Sequence, residues 1–258
     1  LLILVIGTKK YNENYIAHIG EYYFLLISAT LGGILMVAGI ELITIYVGLE
    51  LLSFSLYVAV SSLVNDKKSG EASLKYVLIG GVGSAILLYG LSMIYGSAHS
   101  TFYVTMGLNF ASDASYNTEL LLIGLIFFFA GIGFKLSAVP FHMWAPDVYE
   151  GAPLPITAFL STASKAIVIG FLLRLLSGPF LSIMEYWNIL IIILSVLTMI
   201  VGNLIAIQQS NIKRMLAYSS VGQIGYILMA LPNISSATTS AALFHLSGYV
   251  VTNLLIFI

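Results

Sequence analysis

Residues 119–177 read ELLLIGLIFFFAGIGFKLSAVPFHMWAPDVYEGAPLPITAFLSTASKAIVIGFLLRLLS. Two apolar stretches flank a hinge that holds four of the chain's six prolines, Pro140, Pro146, Pro153 and Pro155. Each stretch approaches the roughly 20 residues that a helix rising about 1.5 Å per residue needs to cross about 30 Å of hydrocarbon. Proline removes a backbone donor and disfavours helix in the residue before it. The pattern therefore predicts a span from 119 to 139 that breaks just after Lys135, or else an ordinary loop, and then a second span over 153–177 with Lys165 at its centre. Freed backbone at membrane depth persists only where protein or a wet cavity satisfies it, as in ion-handling proteins with discontinuous helices.

Outward from that segment the same apolar texture continues. A partial helix at 1–8 and spans near 22–39, 41–64, 72–95, 186–207, 212–231 and 238–258 complete the expected set, with the tight break between the first two spans at Gly39-Ile40-Glu41. Hydrophobic residues make up 59% and charged residues 8% of the 258, which is more apolar surface than a soluble domain of this size can hide. The stretches do not alternate with period two, so an all-α polytopic transmembrane bundle is expected rather than a barrel. Alternating the spans places Lys9, Lys10, Lys67, Lys68, Lys213 and Arg214 on one face and leaves Arg174 near the other. By the positive-inside rule the first face is cytoplasmic.

There is no cysteine, so no thiolate metal site or cysteine-held iron-sulfur cluster can form. No cofactor or metal is expected in this chain, and redox chemistry would belong elsewhere. Net charge is −1 without a basic run, which argues against a nucleic-acid partner. Leu1 stands first in place of Met, and the chain closes on apolar NLLIFI, so an internal piece of a longer protein is expected.

Ionisable groups inside the bilayer cost at least about 2.5–3.5 kcal/mol, so each needs a reason. Glu50 lies mid-span, with Tyr46, Ser53 and Tyr57 on the same helix face. It reads as a proton-exchanging carboxylate or as half of a structural ion pair. Lys135 lies some sixteen residues into its span, and Lys165 has about ten apolar or small residues on either side. Desolvation disfavours such an ammonium and makes its proton easier to give up. Snorkelling is the competing reading for Lys135, and a buried structural pair for Lys165. Ser161, one turn before Lys165, is positioned to hydrogen-bond it or to hold a water. Lys75 follows Glu71 by one turn and reads as a salt-bridged helix start or as support for a polar path. His142 and His245 are candidate relays because histidine titrates near neutrality. Gly80 with Ser84, Gly81 with Ala85, and Gly222 with Gly225 read as small-residue helix contacts.

The segments GLELLSFSLYVAV, EASLKYVLIGGVGSAILLYGLSMIYG, GIGFKLSAVPFHMWAPDVYEGAPLPITAFLSTASKA and NIKRMLAYSSVGQIGYILMAL carry a strong resemblance. They resemble the subunit N family of proton-pumping NADH-quinone oxidoreductase (respiratory complex I), with its cyanobacterial and plastid relatives. These belong to the antiporter-like subunits, which are related to multisubunit sodium/proton antiporters. PDVYEGAP and KRMLAYSS are the specific parts, whereas the region to about Gly20 is not diagnostic.

The resemblance implies a fourteen-helix subunit of two inverted five-helix repeats, each with a broken helix. This chain would hold the third to the eleventh helix, with the first repeat at about 22–177 and part of the second at about 186–258. It implies a glutamate on the fifth helix paired with a lysine on the seventh, and a further lysine on the eighth. By motif these fall on Glu50, Lys135 and Lys165. A second-repeat lysine would lie past Ile258, and His245 stands where the family more often has tyrosine.

The implied function is a proton-translocating, non-redox subunit without catalysis of its own, driven by NADH-to-quinone electron transfer in other subunits. Its partners would be the other membrane subunits, lipid, protons and internal water, in a multi-pass bacterial cell membrane rather than a plastid thylakoid. The rival is a subunit of a sodium/proton antiporter. A scaffold without transport would instead pair off all its buried charges.

Overall fold

The computed structural model describes residues 2–112 and 116–257. Leu1 and Ile258, the outer ends of two expected helices, lie outside the described residues.

Two short helices, α1 (Leu2–Gly7) and α2 (Lys9–Tyr15), precede the first long ones. Helices α3 (Ile19–Ala38) and α4 (Leu42–Val60) form a hairpin whose break falls at residues 39–41, as the Gly39-Ile40-Glu41 pattern predicts. The hairpin is tight because two glycines meet inside it. A Cβ added to Gly32 would lie 2.5 Å from the Leu52 nitrogen, and one added to Gly48 would lie 2.7 Å from the Met36 nitrogen. Small residues at such crossings let backbones approach where lipid supplies no hydrophobic drive.

The next helix, α5 (Lys67–Ala98), is longer than the expected 72–95. Asp66 caps it by accepting from the Lys68 N–H at 2.9 Å, which starts the helix more than a turn earlier than its apolar run. After α6 (Tyr103–Ala111), a short helix without a counterpart in the sequence reading, comes α7 (Thr118–Leu136), which packs along α5. Gly90 makes that contact, since a Cβ there would stand 2.4 Å from the Phe128 nitrogen. Gly80 faces the Tyr57 hydroxyl, but Gly81 faces open space and makes no helix contact.

The expected break follows Lys135. Helix α7 ends at Leu136, Ser137 takes a left-handed φ of 54°, and the chain resumes as the short helix α8 (Trp144–Gly151). Its freed backbone groups find protein partners, as membrane depth requires. The Val139 N–H donates to Thr198 Oγ1 at 3.0 Å, and the Phe134 carbonyl accepts from Trp144 Nε1 at 3.0 Å.

The expected span over 153–177 is present as Leu154–Ser177, with an interruption at Thr162 that the sequence reading lacks and that divides it into α9 (Leu154–Ser161) and α10 (Ala163–Ser177). The Thr162 hydroxyl donates to the Ala158 carbonyl at 2.6 Å, a back-bond of the kind that bends helices. Helices α11 (Met184–Ile207), α12 (Ile212–Leu228) and α13 (Ser236–Phe257) complete the bundle. Gly222 and Gly225 pack against α11, as expected for small-residue contacts.

Among the described residues, seven helical stretches are long and apolar enough to cross a membrane, and α12 adds a 17-residue helix packed on α11. Lys68, Lys213 and Arg214 gather around Glu150, whereas Arg174 lies at the other end against Tyr103 and the Val37 carbonyl. For these four residues the fold has the sidedness read from the loops.

Candidate functional site

Lys135, the last basic residue of α7, points into the space between α4 and α5. Its ammonium donates to Ser53 Oγ at 2.7 Å, Ser84 Oγ at 3.1 Å and the Tyr57 hydroxyl at 3.3 Å. It also lies 5.7 Å from the Tyr57 ring centroid and 5.8 Å from that of Phe134. The lysine does not snorkel. Three hydroxyls from two other helices hold it inside the bundle.

Glu50 is close enough to act electrostatically on Lys135, but the two form no ion pair. The pairing that the resemblance implies is therefore open in this structure, with Ser53 and Tyr57 binding the ammonium instead. Ser53 and Tyr57 share a helix face with Glu50, and the fold gives their hydroxyls to Lys135. The Tyr46 hydroxyl remains against the Glu50 carboxylate, while Glu50 Oε1 is buried without a partner.

Lys165 is 1% exposed, the most buried charge of the chain's described residues. Its ammonium donates to Ser220 Oγ on α12 at 2.7 Å and lies 6.0 Å from the Tyr149 ring centroid. Ser220 in turn donates to the Ala217 carbonyl at 2.8 Å. Of the two roles expected for Ser161, the direct hydrogen bond to Lys165 is not made. The Ser161 hydroxyl donates to the Ala158 carbonyl at 3.0 Å, and the Ser161 carbonyl accepts from the Tyr249 hydroxyl at 2.7 Å.

His142 lies buried in the break between α7 and α8, its ring 6.0 Å from that of Tyr218, and neither of its ring nitrogens makes a well-formed hydrogen bond. His245 is exposed on α13 and shares a 3.0 Å hydrogen bond with Gln223. It lines a cavity of about 340 Å³ together with Tyr249, Gln223 and Asn253. Neither histidine is among the hydrogen-bond partners of the two ammonium groups.

Lys75 keeps the expected pair with Glu71 at 2.8 Å and adds a second, with Asp147 at 2.9 Å. Asp147 also receives Arg214 at 2.6 Å, and Glu150 receives Arg214 at 3.2 Å and Lys68 at 2.9 Å. Sequence reasoning missed this network because its members are far apart along the chain. Burial pushes the Asp147 carboxyl up, but the Lys75 and Arg214 hydrogen bonds outweigh it and hold the group below its ordinary value. The Lys68 hydrogen bond does the same for Glu150, against a smaller upward push from burial and with help from Arg214. Among the described residues no cluster of His, Asp and Glu could hold a metal ion.

A broken helix ending in one half-buried lysine and an interrupted helix carrying a fully buried one define a class of membrane protein. Residues 39–258 match the model of the NADH:quinone oxidoreductase/Mrp antiporter transmembrane family, and the chain belongs to that family. Within it, the chain is 44% identical over 249 residues to NADH-quinone oxidoreductase subunit N of Desulforamulus reducens, covering 96% of this chain and 52% of that protein. It is 41% identical over 253 residues to NAD(P)H-quinone oxidoreductase subunit 2 of Prochlorococcus marinus, covering 98% of this chain and 49% of the relative. In structure it is similar to a chain of respiratory complex I from Thermus thermophilus, with a TM-score of 0.76, 34% identity, and coverage of 92% of this chain and 50% of that one. The chain spans about half the length of the curated relatives it matches.

Proposed function

We propose that this chain forms part of a proton-translocating membrane subunit of an NADH-quinone oxidoreductase, and that protons pass through it by way of Glu50, Lys135 and Lys165. One observation carries the reading: both intramembrane lysines are held by hydroxyls rather than by carboxylates. A carboxylate in contact would lock the ammonium in its charged state. A hydroxyl accepts from an ammonium and can turn to donate to a neutral amine, so both protonation states keep a partner. Such a site can load and unload a proton without leaving an unsatisfied buried group, which costs about 1–3 kcal/mol.

In this reading Glu50 controls Lys135. Closing the pair would hold the proton, and opening it, as here, would release the proton along internal water to Lys165. Moving one charge against 100 mV costs about 2.3 kcal/mol, the equivalent of somewhat under two pKa units at about 1.36 kcal/mol each. Rearranging one partially desolvated pair is of that scale. The redox groups would lie in other subunits, with which this non-redox subunit assembles in a bacterial cell membrane. Residues 22–177 would form the first of two inverted repeats and 186–258 part of the second. The open Glu50–Lys135 pair supports transport over a scaffold, whose buried charges would be paired off.

Lys135→Met and Glu50→Gln in the full-length subunit of the assembled complex test this. The expected result is a loss of protons pumped per electron in sodium-free buffer. Unchanged pumping in both variants would refute the proposal, and pumping that requires sodium would favour the antiporter.

A further inference from the structure

The short helix α8 lies between the two lysine sites and touches the surroundings of both. At its start, Trp144 donates to the Phe134 carbonyl at 3.0 Å, one residue before Lys135. Trp144 also stacks on Tyr76 at 4.7 Å between centroids, and Tyr76 meets the Tyr57 ring edge-on at 4.6 Å. Tyr57 is one of the three hydroxyls that hold Lys135. Near the end of α8, Tyr149 is fully buried with its ring against the Lys165 ammonium. A continuous line of aromatic and hydrogen-bond contacts thus runs from one lysine to the other through eight residues of helix.

In isolation such a short helix would be marginal, and burial of Trp144, Ala145, Val148 and Tyr149 packs it into the bundle. Charges add a second hold on α8. Asp147 takes Lys75 of α5 on one oxygen and Arg214 of α12 on the other, and Glu150 takes Lys68 of α5 and Arg214 of α12 in the same way. Lys213 closes the helix end by donating to the Glu150 and Ala152 carbonyls at 3.2 and 3.0 Å. Lys68, Lys75, Asp147, Glu150 and Arg214 surround a cavity of about 170 Å³ lined also by Glu71. Because each carboxylate bridges α5 to α12, the register of α8 depends on both helices at once.

We propose that Asp147 is a positioning residue for proton transfer: its paired bonds to Lys75 and Arg214 set the placement of α8, and through Trp144 and Tyr149 that of the hydroxyl and aromatic partners of Lys135 and Lys165. A shift of α5 against α12 would be passed to both lysines together. This rests on the proton-transfer reading of the two lysines.

The test uses the assembled complex with Asp147→Asn, Arg214→Gln and the double variant, reading protons pumped per electron as a function of pH. We expect each single variant to lower pumping several-fold and to move the pH of half-maximal pumping by on the order of one unit. The double variant should add little, because all three undo one clamp. A purely structural role would reduce the amount of complex and leave the pH profile of the remainder unmoved, and that result overturns the inference. Additive effects overturn it as well. If Asp147→Asn does not assemble, Lys75→Gln and Arg214→Gln each leave one of its ion pairs and should show the same shift. Failure of all of them to assemble assigns the clamp to folding alone and also counts against the inference. Lys165→Met separates the two proposals. If it abolishes pumping while the clamp variants pump normally, only this inference fails. If it pumps normally, the underlying reading fails.

Discussion

The Lys165 ammonium and the Ser220 hydroxyl are joined at 2.7 Å, a bond that ties α10 to α12 in the interior of the bundle. It is a hydrogen bond to a charged group, worth about 1.5–3 kcal/mol. Removing the acceptor should favour the neutral amine. Ser220→Ala is therefore expected to lower proton pumping by the assembled complex several-fold with little change in its quantity, whereas Ser220→Thr, which keeps a hydroxyl, should pump near the normal rate. Proton uptake per electron in vesicles measures both.

Lys135 has three hydroxyl partners of unequal length. Losing the 3.3 Å bond from Tyr57→Phe should matter less than losing the bonds at 2.7 and 3.1 Å together in a Ser53→Ala/Ser84→Ala double variant. The double variant is expected to cost at least several-fold more in pumping. The same vesicle measurement with both variants ranks them, and the opposite order would count against the hydroxyl cradle.

Helix packing gives a sharper contrast. A methyl at Gly90 would meet backbone at 2.4 Å, and backbone cannot yield as a side-chain end can. Gly90→Ala should cost about 1–3 kcal/mol or more and lower the thermal midpoint of the purified complex. Gly81→Ala has nothing within 4 Å and should leave it unchanged.

The acidic residues of α8 set a pH limit. Asp147 and Glu150 are held below their ordinary values in the folded chain. Their stabilising effect is then fully present above the unfolded carboxyl value of about 4 and is lost as pH falls through the lower folded value. Thermal unfolding followed from pH 6 downwards should show a falling midpoint below about pH 4. In Asp147→Asn and Glu150→Gln that acid-side fall should be shallower, from a lower starting midpoint.

How much of this was legible in the sequence depends on the range of each contact. The break after Lys135 and the turn at Gly39-Ile40-Glu41 are local, written in proline, glycine and charge, and the structure has both. The depth of Lys165 could be counted from the apolar residues around it. Ser84 and Ser220, the partners that give the two lysines their chemistry, come from other helices, and nothing in a serine's neighbours along the chain announces that role. Ser53 and Tyr57 are visible as a polar stripe beside Glu50, but a stripe gives a face and not a partner. The division at Thr162 went unseen because a threonine inside an apolar run reads as an ordinary helical residue. Asp147 and Arg214, 67 positions apart, needed the fold to bring them together.

On the proposed path Lys165 receives the proton that Lys135 releases. Replacing it with methionine keeps the length and packing of the side chain and removes the titrating group. In the full-length Lys165→Met subunit within the assembled complex, the account predicts electron transfer from NADH to quinone with fewer protons pumped per electron. Full pumping per electron in that complex would contradict it.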